Sequence, residues 1–186
     1  METKFQDKRY QDAFLSMTKH RSIFLTEVFE EDMASIMTAS LVYLDSVSHD
    51  LITIYINSPG GMVSSLNQVY DTMQMINSPI STVCIGRAYS AGSVILASGT
   101  KGLRKCMQNA NVMIHGMQLG FPNYPNHDLN SARRYLEYCN KLNDSILQIL
   151  ADHTGQSISK IQEDCDRDVF FTAKDALSYG LIDEII

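Results

Sequence analysis

The chain has 186 residues, 45% hydrophobic and 19% charged, the balance of one folded domain (1–186) rather than a disordered segment. With 15 Lys and Arg against 21 Asp and Glu the net charge is -6, which excludes the basic footprint of a nucleic-acid binder and the polybasic patch of a membrane-surface protein. No apolar run reaches the roughly 18 residues of a spanning helix, and the polar start METKFQDKRYQD lacks the apolar centre of a signal peptide.

In chain order, residues 22–28 (SIFLTEV) predict a first strand. Glu30, Glu31 and Asp32 then crowd the start of a helix, where the macrodipole favours acids. Met33, Ile36, Met37, Ser40, Leu41 and Leu44 give that helix an inward stripe. The β-branched run LITIYIN (51–57) predicts a buried strand, broken sharply by Ser58-Pro59-Gly60-Gly61. Leu66, Val69, Tyr70, Met73 and Ile76 recur at helical spacing. Residues 81–85 predict a short strand, 90–98 a small-residue helix ended by Gly99, and 111–115 (NVMIH) another strand.

The segment 116–127 has two Gly and two Pro and is expected to be extended or irregular. A long helix follows, with Leu129, Ala132, Leu136, Cys139, Leu142, Ile146, Ile149 and Leu150 inward and Gly155 at its end. Thr172 and Asp175 have the spacing of a capping box, Gly180 closes that helix, and 181–186 predicts a last strand. Strand and helical patterns alternate throughout, which predicts an α/β fold. Cys84, Cys106, Cys139 and Cys165 form no CxxC pair, so they read as reduced packing residues of a cytoplasmic protein and not as zinc ligands.

Three strand–helix junctions hold side chains suited to chemistry. Gly60 and Gly61 permit a tight turn, or an approach of backbone N–H groups to a ligand. They do not match the phosphate-cradling pattern GxxxxGK[ST]. Ser90, at the mouth of a buried helix, reads either as an N-cap or as a nucleophile exposed at a strand–turn–helix junction. Taken alone, the residues favour the cap. His115, at the end of an apolar strand, is a packed core histidine or a rigidly held general base. A fourth stretch, EDCDRD (163–168), has calcium-loop spacing, but Val169 stands where that loop requires Gly, so calcium is excluded. It is a solvated acidic turn, or one of Asp164, Asp166 and Asp168 orients His115. Asp168 adjoins an apolar run and is the one expected to be partly buried.

Together these segments resemble the Clp protease proteolytic subunit (ClpP) family over about residues 23–186. The matches are IFLT (23–26), IYINSPGG (54–61), YDTM (70–73), AYSAG around Ser90, VMIH (112–115), HTGQ (153–156), DRD followed by Phe170, and YGLIDEI (179–185). The resemblance implies a ClpP/crotonase-like fold of stacked β-β-α units with a protruding helical handle (about 116–150). It implies a serine endopeptidase with Ser90 as nucleophile, His115 as base and Asp168 as orienting carboxylate. Gly61 and Ala91 match the oxyanion-hole positions, and Asp166 and Arg167 those that pair between two heptameric rings. The implied particle is a tetradecamer fed with unfolded proteins by an AAA+ Clp ATPase. It needs no metal and no cofactor in this subunit, ATP being used by the ATPase.

The chain departs from that family in three places. The N-terminal segment (1–21) is polar and shortened where the family carries an apolar axial hairpin. Gly116-Met117 and a proline-containing stretch follow His115 where the family has Gln-Pro and a glycine-rich strand. Lys105 and Gln108 replace an aromatic and a proline near the pocket for the ATPase loop. These departures predict weakened docking, and a chain that works in a mixed particle with a second ClpP-type subunit. The alternatives are a weakly active or inactive structural partner, and a crotonase-like acyl-CoA enzyme.

Overall fold

The structure, a computed structural model, describes residues 8–119 and 128–186. The segment expected to be irregular therefore lies outside the described residues from position 120 to 127, as do residues 1–7 of the N-terminal segment.

Helix α1 (Lys8–Lys19) leads into β1 (Ser22–Leu25), α2 (Glu31–Val47), β2 (Ile52–Ser58), α3 (Val63–Met75) and β3 (Ile80–Tyr89). Helix α4 (Ala91–Ala97), β4 (Arg104–Cys106) and β5 (Asn111–Ile114) follow. The chain closes with α5 (Leu129–Thr154), α6 (Ile158–Asp164), β6 (Val169–Thr172), α7 (Ala173–Tyr179) and β7 (Glu184–Ile185). Strands β1, β2, β3, β4 and β7 lie side by side in that order, all parallel. Parallel strands need crossover helices, which cover the sheet faces. Accordingly Ile52, Ile54 and Ile56 of β2 are fully buried, as is Cys84 on β3.

Strand β3 is twice as long as its sequence pattern predicts, and that length builds the site. Its first half pairs with β2 and β4, with Cys84 opposite Ile56 and Cys106. An irregularity between Ile56 and Ser58 then shifts the register, so that Ser58 lies opposite Ala88. Asn57 Oδ1 accepts the Arg87 N–H there at 3.3 Å, and a side chain on Gly86 would begin 2.7 Å from that oxygen. Past this shift β3 changes partner: Arg87, Ala88 and Tyr89 pair in parallel with Asn111, Val112 and Met113 of β5. Strand β5 pairs in turn, antiparallel, with β6. The sheet thus forks at β3, and the second branch carries the ends of β3, β5 and β6 to one edge.

Several elements differ from the sequence expectation. Strand β1 stops at Leu25 instead of running to Val28, and Phe29 forms an isolated bridge to Gly61. In α2 the buried stripe is Ala34, Met37, Leu41 and Leu44, while Ile36 is 59% exposed. A helix turns about 100° per residue, so Ile36 lies about 200° round from Ala34. In α5 only the residues from Cys139 onward are buried; Leu129 is 89% and Leu136 38% exposed. The first turns of that helix stand off the core. The final strand shortens to Glu184–Ile185. All four cysteines are buried and free.

The capping expectations at α5 and α7 hold. Thr172 and Asp175 form a reciprocal capping box at α7. Gly155 and Gly180 end α5 and α7 in the left-handed conformation, with φ of 77° and 94°. The two glycines differ in surroundings. A Cβ on Gly155 would meet nothing, whereas one on Gly180 would sit 2.2 Å from the Thr154 carbonyl oxygen. Gly155→Ala is therefore expected to destabilise by about 1 kcal/mol, the conformational strain alone, and Gly180→Ala by about 2–3 kcal/mol. Urea midpoints of the two variants, compared side by side, check this; equal losses would contradict it.

Candidate active site

Register brings the three chemistry-bearing side chains to one edge. Tyr89 of β3 is the partner of Met113 on β5, and the Ser90 N–H donates to the Met113 carbonyl at 2.9 Å. Ser90 is the first residue past its strand and His115 the first past β5. Ile114 is the partner of Val169, so His115 and Asp168 are the next pair across the antiparallel β5–β6 ladder. Neighbouring strands lie about 4.8 Å apart. His115 Nδ1 and Asp168 Oδ1 are 3.5 Å apart, somewhat longer than a formed hydrogen bond.

Ser90 occupies the N-cap position of α4 but does not cap it: its side chain makes no cap hydrogen bond. Its backbone has φ 54° and ψ -123°. A non-glycine residue there is strained by about 1–3 kcal/mol, the signature of a sharp strand-to-helix turn that presents a hydroxyl. The local hydrogen bonds fix that turn without using Oγ. The Ser90 carbonyl accepts from the Ser93 N–H at 2.9 Å, the Val94 N–H at 3.3 Å and the Ser93 hydroxyl at 2.6 Å. Among the described residues, Ser90 Oγ has no hydrogen-bond partner, His115 included.

The Ser58–Gly61 turn packs directly against this serine. Gly60 has φ 95°, and a Cβ there would lie 2.6 Å from Ser90 Cβ and 2.8 Å from the Tyr89 carbonyl oxygen. Gly61 has φ 152°, and its Cβ would overlap the Phe29 backbone. Only glycine fits either position. Buried Ser58 anchors the turn, its hydroxyl donating to the Glu27 carbonyl at 2.5 Å and accepting the Gly60 N–H at 3.2 Å. The bridge to Phe29 uses the Gly60 carbonyl and the Met62 N–H, so the intervening Gly61 N–H is turned to the other side. The Ala91 N–H opens α4, where helical N–H groups lack an intrahelical acceptor.

The acidic turn resolves by its partners. Asp164 is committed elsewhere: it accepts from Lys160 Nζ at 2.5 Å and from the Tyr179 hydroxyl at 2.6 Å. Burial pushes its carboxyl up, and these hydrogen bonds more than reverse that, leaving it below the usual carboxylate range. Asp166 and Arg167 are exposed. Asp168 alone of the three aspartates pairs with His115, but its side chain is 52% exposed where partial burial was expected. It stands one residue before β6, a strand in which Phe171 is the one buried residue. His115 is much better enclosed, at 13%. A cavity of about 490 Å³ adjoins the pair, lined among others by Met117, Asn143, Leu147 and Cys165.

Sequence reasoning missed the bracing roles of Asn57, which lies within the IYINSPGG match without being singled out, and of Asn143, which belongs to no motif. Ser90 and His115 were singled out from their junction positions alone. A strained serine at a strand–helix turn, beside glycine-only backbone and a histidine–carboxylate pair, has the form of a nucleophile turn. The Clp protease family model matches residues 5–186, and the chain belongs to that family. Among the described residues no helix is long and apolar enough to cross a membrane.

Proposed function

We propose that the chain is a proteolytic subunit of a Clp-type protease, a serine endopeptidase that cleaves unfolded polypeptides within a chamber of two heptameric rings. The single observation that supports this reading is the shared register that sets Ser90 just past β3, His115 just past β5 and Asp168 just before β6 at one sheet edge. In the reaction, His115 takes the Ser90 proton as Oγ attacks a peptide carbonyl. Asp168 accepts the Nδ1–H of His115, fixing the tautomer and stabilising the imidazolium. The Gly61 and Ala91 N–H groups meet the oxyanion, each such donor contributing about 10²–10³ in rate. His115 returns the proton to the departing amine, and water hydrolyses the acyl-enzyme by the reverse sequence. No cofactor or metal enters these steps. ATP is used by an AAA+ partner that feeds substrate, and Asp166 and Arg167 pair between rings.

One observation favours a second reading. Ser90 Oγ is not bonded to His115, and the His115–Asp168 distance is 3.5 Å. A catalytic set this loose fits a structural subunit in a mixed ring, or one whose set tightens on assembly. Native mass measurement with a peptidase assay on the same sample tests both. Ring particles with peptidase activity are expected, and Arg167→Ala is expected to lower both together. Ring particles inert alone, and inert beside a second ClpP-type subunit, would contradict the peptidase reading. Full activity in Arg167→Ala single rings would contradict the coupling of ring contact to the site.

A further inference from the structure

The backbone just after His115 is held by a side chain that no motif includes. The Gly116 N–H donates to the Cys165 carbonyl at 2.7 Å, on the turn that also carries Asp168. The Met117 N–H donates to Asn143 Oδ1 at 2.8 Å, on the long helix α5. Gly116 is not among the glycines with positive φ, so its requirement is room and not conformation. A Cβ there would lie 3.0 Å from the Cys165 carbonyl oxygen and 3.4 Å from Asn143 Oδ1. The tight approach at 116 is therefore to the Cys165 carbonyl, while the asparagine oxygen stands at ordinary contact distance.

We infer that Asn143 is a positioning residue for His115, a reading that rests on the peptidase function proposed above. His115 is thereby clamped on both sides, by the β5–β6 ladder before it and by the two N–H bonds after it. The clamp matters because the imidazole already stands at the outer limit of its bond to Asp168. Small displacements of a catalytic group lower rates steeply, about a hundredfold for 1 Å. Without Asn143 Oδ1, the Met117 N–H loses its acceptor and residues 116–119 can swing, carrying His115 with them. The same bond gives α5 a direct hold on the site. Movement of the helix at Asn143 reaches the base through one hydrogen bond and two residues of main chain.

Only the side-chain oxygen is required. Asn143→Leu removes it at similar volume, and Asn143→Asp keeps it. The test compares both variants with the unaltered chain for peptide kcat and KM, for labelling at Ser90 by a fluorophosphonate, and for amide exchange in residues 115–118, with thermal midpoint and native mass recorded alongside. Asn143→Leu is expected to lose about ten- to a hundredfold in kcat with KM unchanged, and to exchange faster at Met117. Asn143→Asp is expected to keep both close to the unaltered values. Equal kcat and equal exchange in Asn143→Leu would overturn the inference alone, as would equal losses in Asp and Leu. An unaltered chain that neither labels nor cleaves in any assembly would overturn the peptidase reading beneath it, whatever the exchange data show.

Discussion

Ser90→Ala is expected to lower kcat for peptide hydrolysis by about 10⁴–10⁶-fold, the scale of removing the nucleophile from a serine hydrolase. Among the described residues the hydroxyl has no second partner whose loss could confuse the result. It makes no cap bond to α4, and the turn is fixed by bonds to the Ser90 carbonyl and N–H, which alanine retains. Folding and assembly should therefore persist while activity disappears. A companion substitution separates chemistry from strain. With φ 54° and ψ -123°, position 90 suits glycine better than serine. Ser90→Gly is expected to be inactive and yet more stable than the unaltered chain by about 1–3 kcal/mol. Residual activity in Ser90→Ala above about one part in a thousand would assign the hydrolysis to another group. A stability loss in Ser90→Gly would mean that the turn stores no strain.

The second large effect concerns the sheet end opposite the site. Arg104 on β4 is 1% exposed and forms a bidentate pair with Asp183, through Nε at 2.8 Å and Nη2 at 2.6 Å. Its Nη1 also donates to the Ala97 and His153 carbonyls, tying the ends of α4 and α5 to β4. Asp183 accepts the Gly102 and Arg104 N–H groups as well. Removing one partner leaves the other charge buried and unpaired, so Asp183→Ala is expected to destabilise by about 3–5 kcal/mol. Replacing both residues by apolar ones is expected to recover part of that loss, but not the tie to His153. Denaturant midpoints of the two singles and the double, run as a cycle, check it. A loss below about 1 kcal/mol in Asp183→Ala would contradict the buried-charge account.

The same pair sets a pH dependence. Burial pushes the Asp183 carboxyl up, but the Arg104 side-chain and backbone hydrogen bonds, the Arg104 charge and the Gly102 N–H outweigh it, holding it at about 2. A carboxyl lower in the folded state than in the unfolded one stabilises above its unfolded pKa. That contribution is full above about pH 4 and disappears as pH falls toward 2. The Asp183→Ala variant should lack this part of the acid slope.

Much of the fold could be read from runs of strong pattern. The β-branched LITIYIN predicts β2 within one residue at each end, and the glycines at 155 and 180 stand at helix ends as expected. Short or weakly patterned elements could not be read. Strand β4 has three residues, and α6 offers only Ile158 and Ile161 as apolar anchors. The misplaced stripe of α2 follows from preferring the large Ile36 over the small Ala34, although spacings of three and four link Ala34 to Met37, Leu41 and Leu44. At the site, local pattern left Ser90 as cap or nucleophile and left three aspartates for one role. What brings Ser90, His115 and Asp168 to one edge is non-local: the partner change along β3, and the β5–β6 register, which no stretch of either strand encodes alone. Asp168 is more exposed than expected because the apolar run beside it is itself largely outside the core: Phe170 is 61% exposed and Phe171 is the one buried residue of β6.

The most direct test of the account is covalent labelling of the assembled protein by a fluorophosphonate, with the modified residue located by peptide mass analysis. Labelling at Ser90, abolished in His115→Ala and strongly slowed in Asp168→Ala, is the predicted result. Absence of labelling at Ser90 in every assembly, or labelling that persists undiminished without the imidazole, would contradict it.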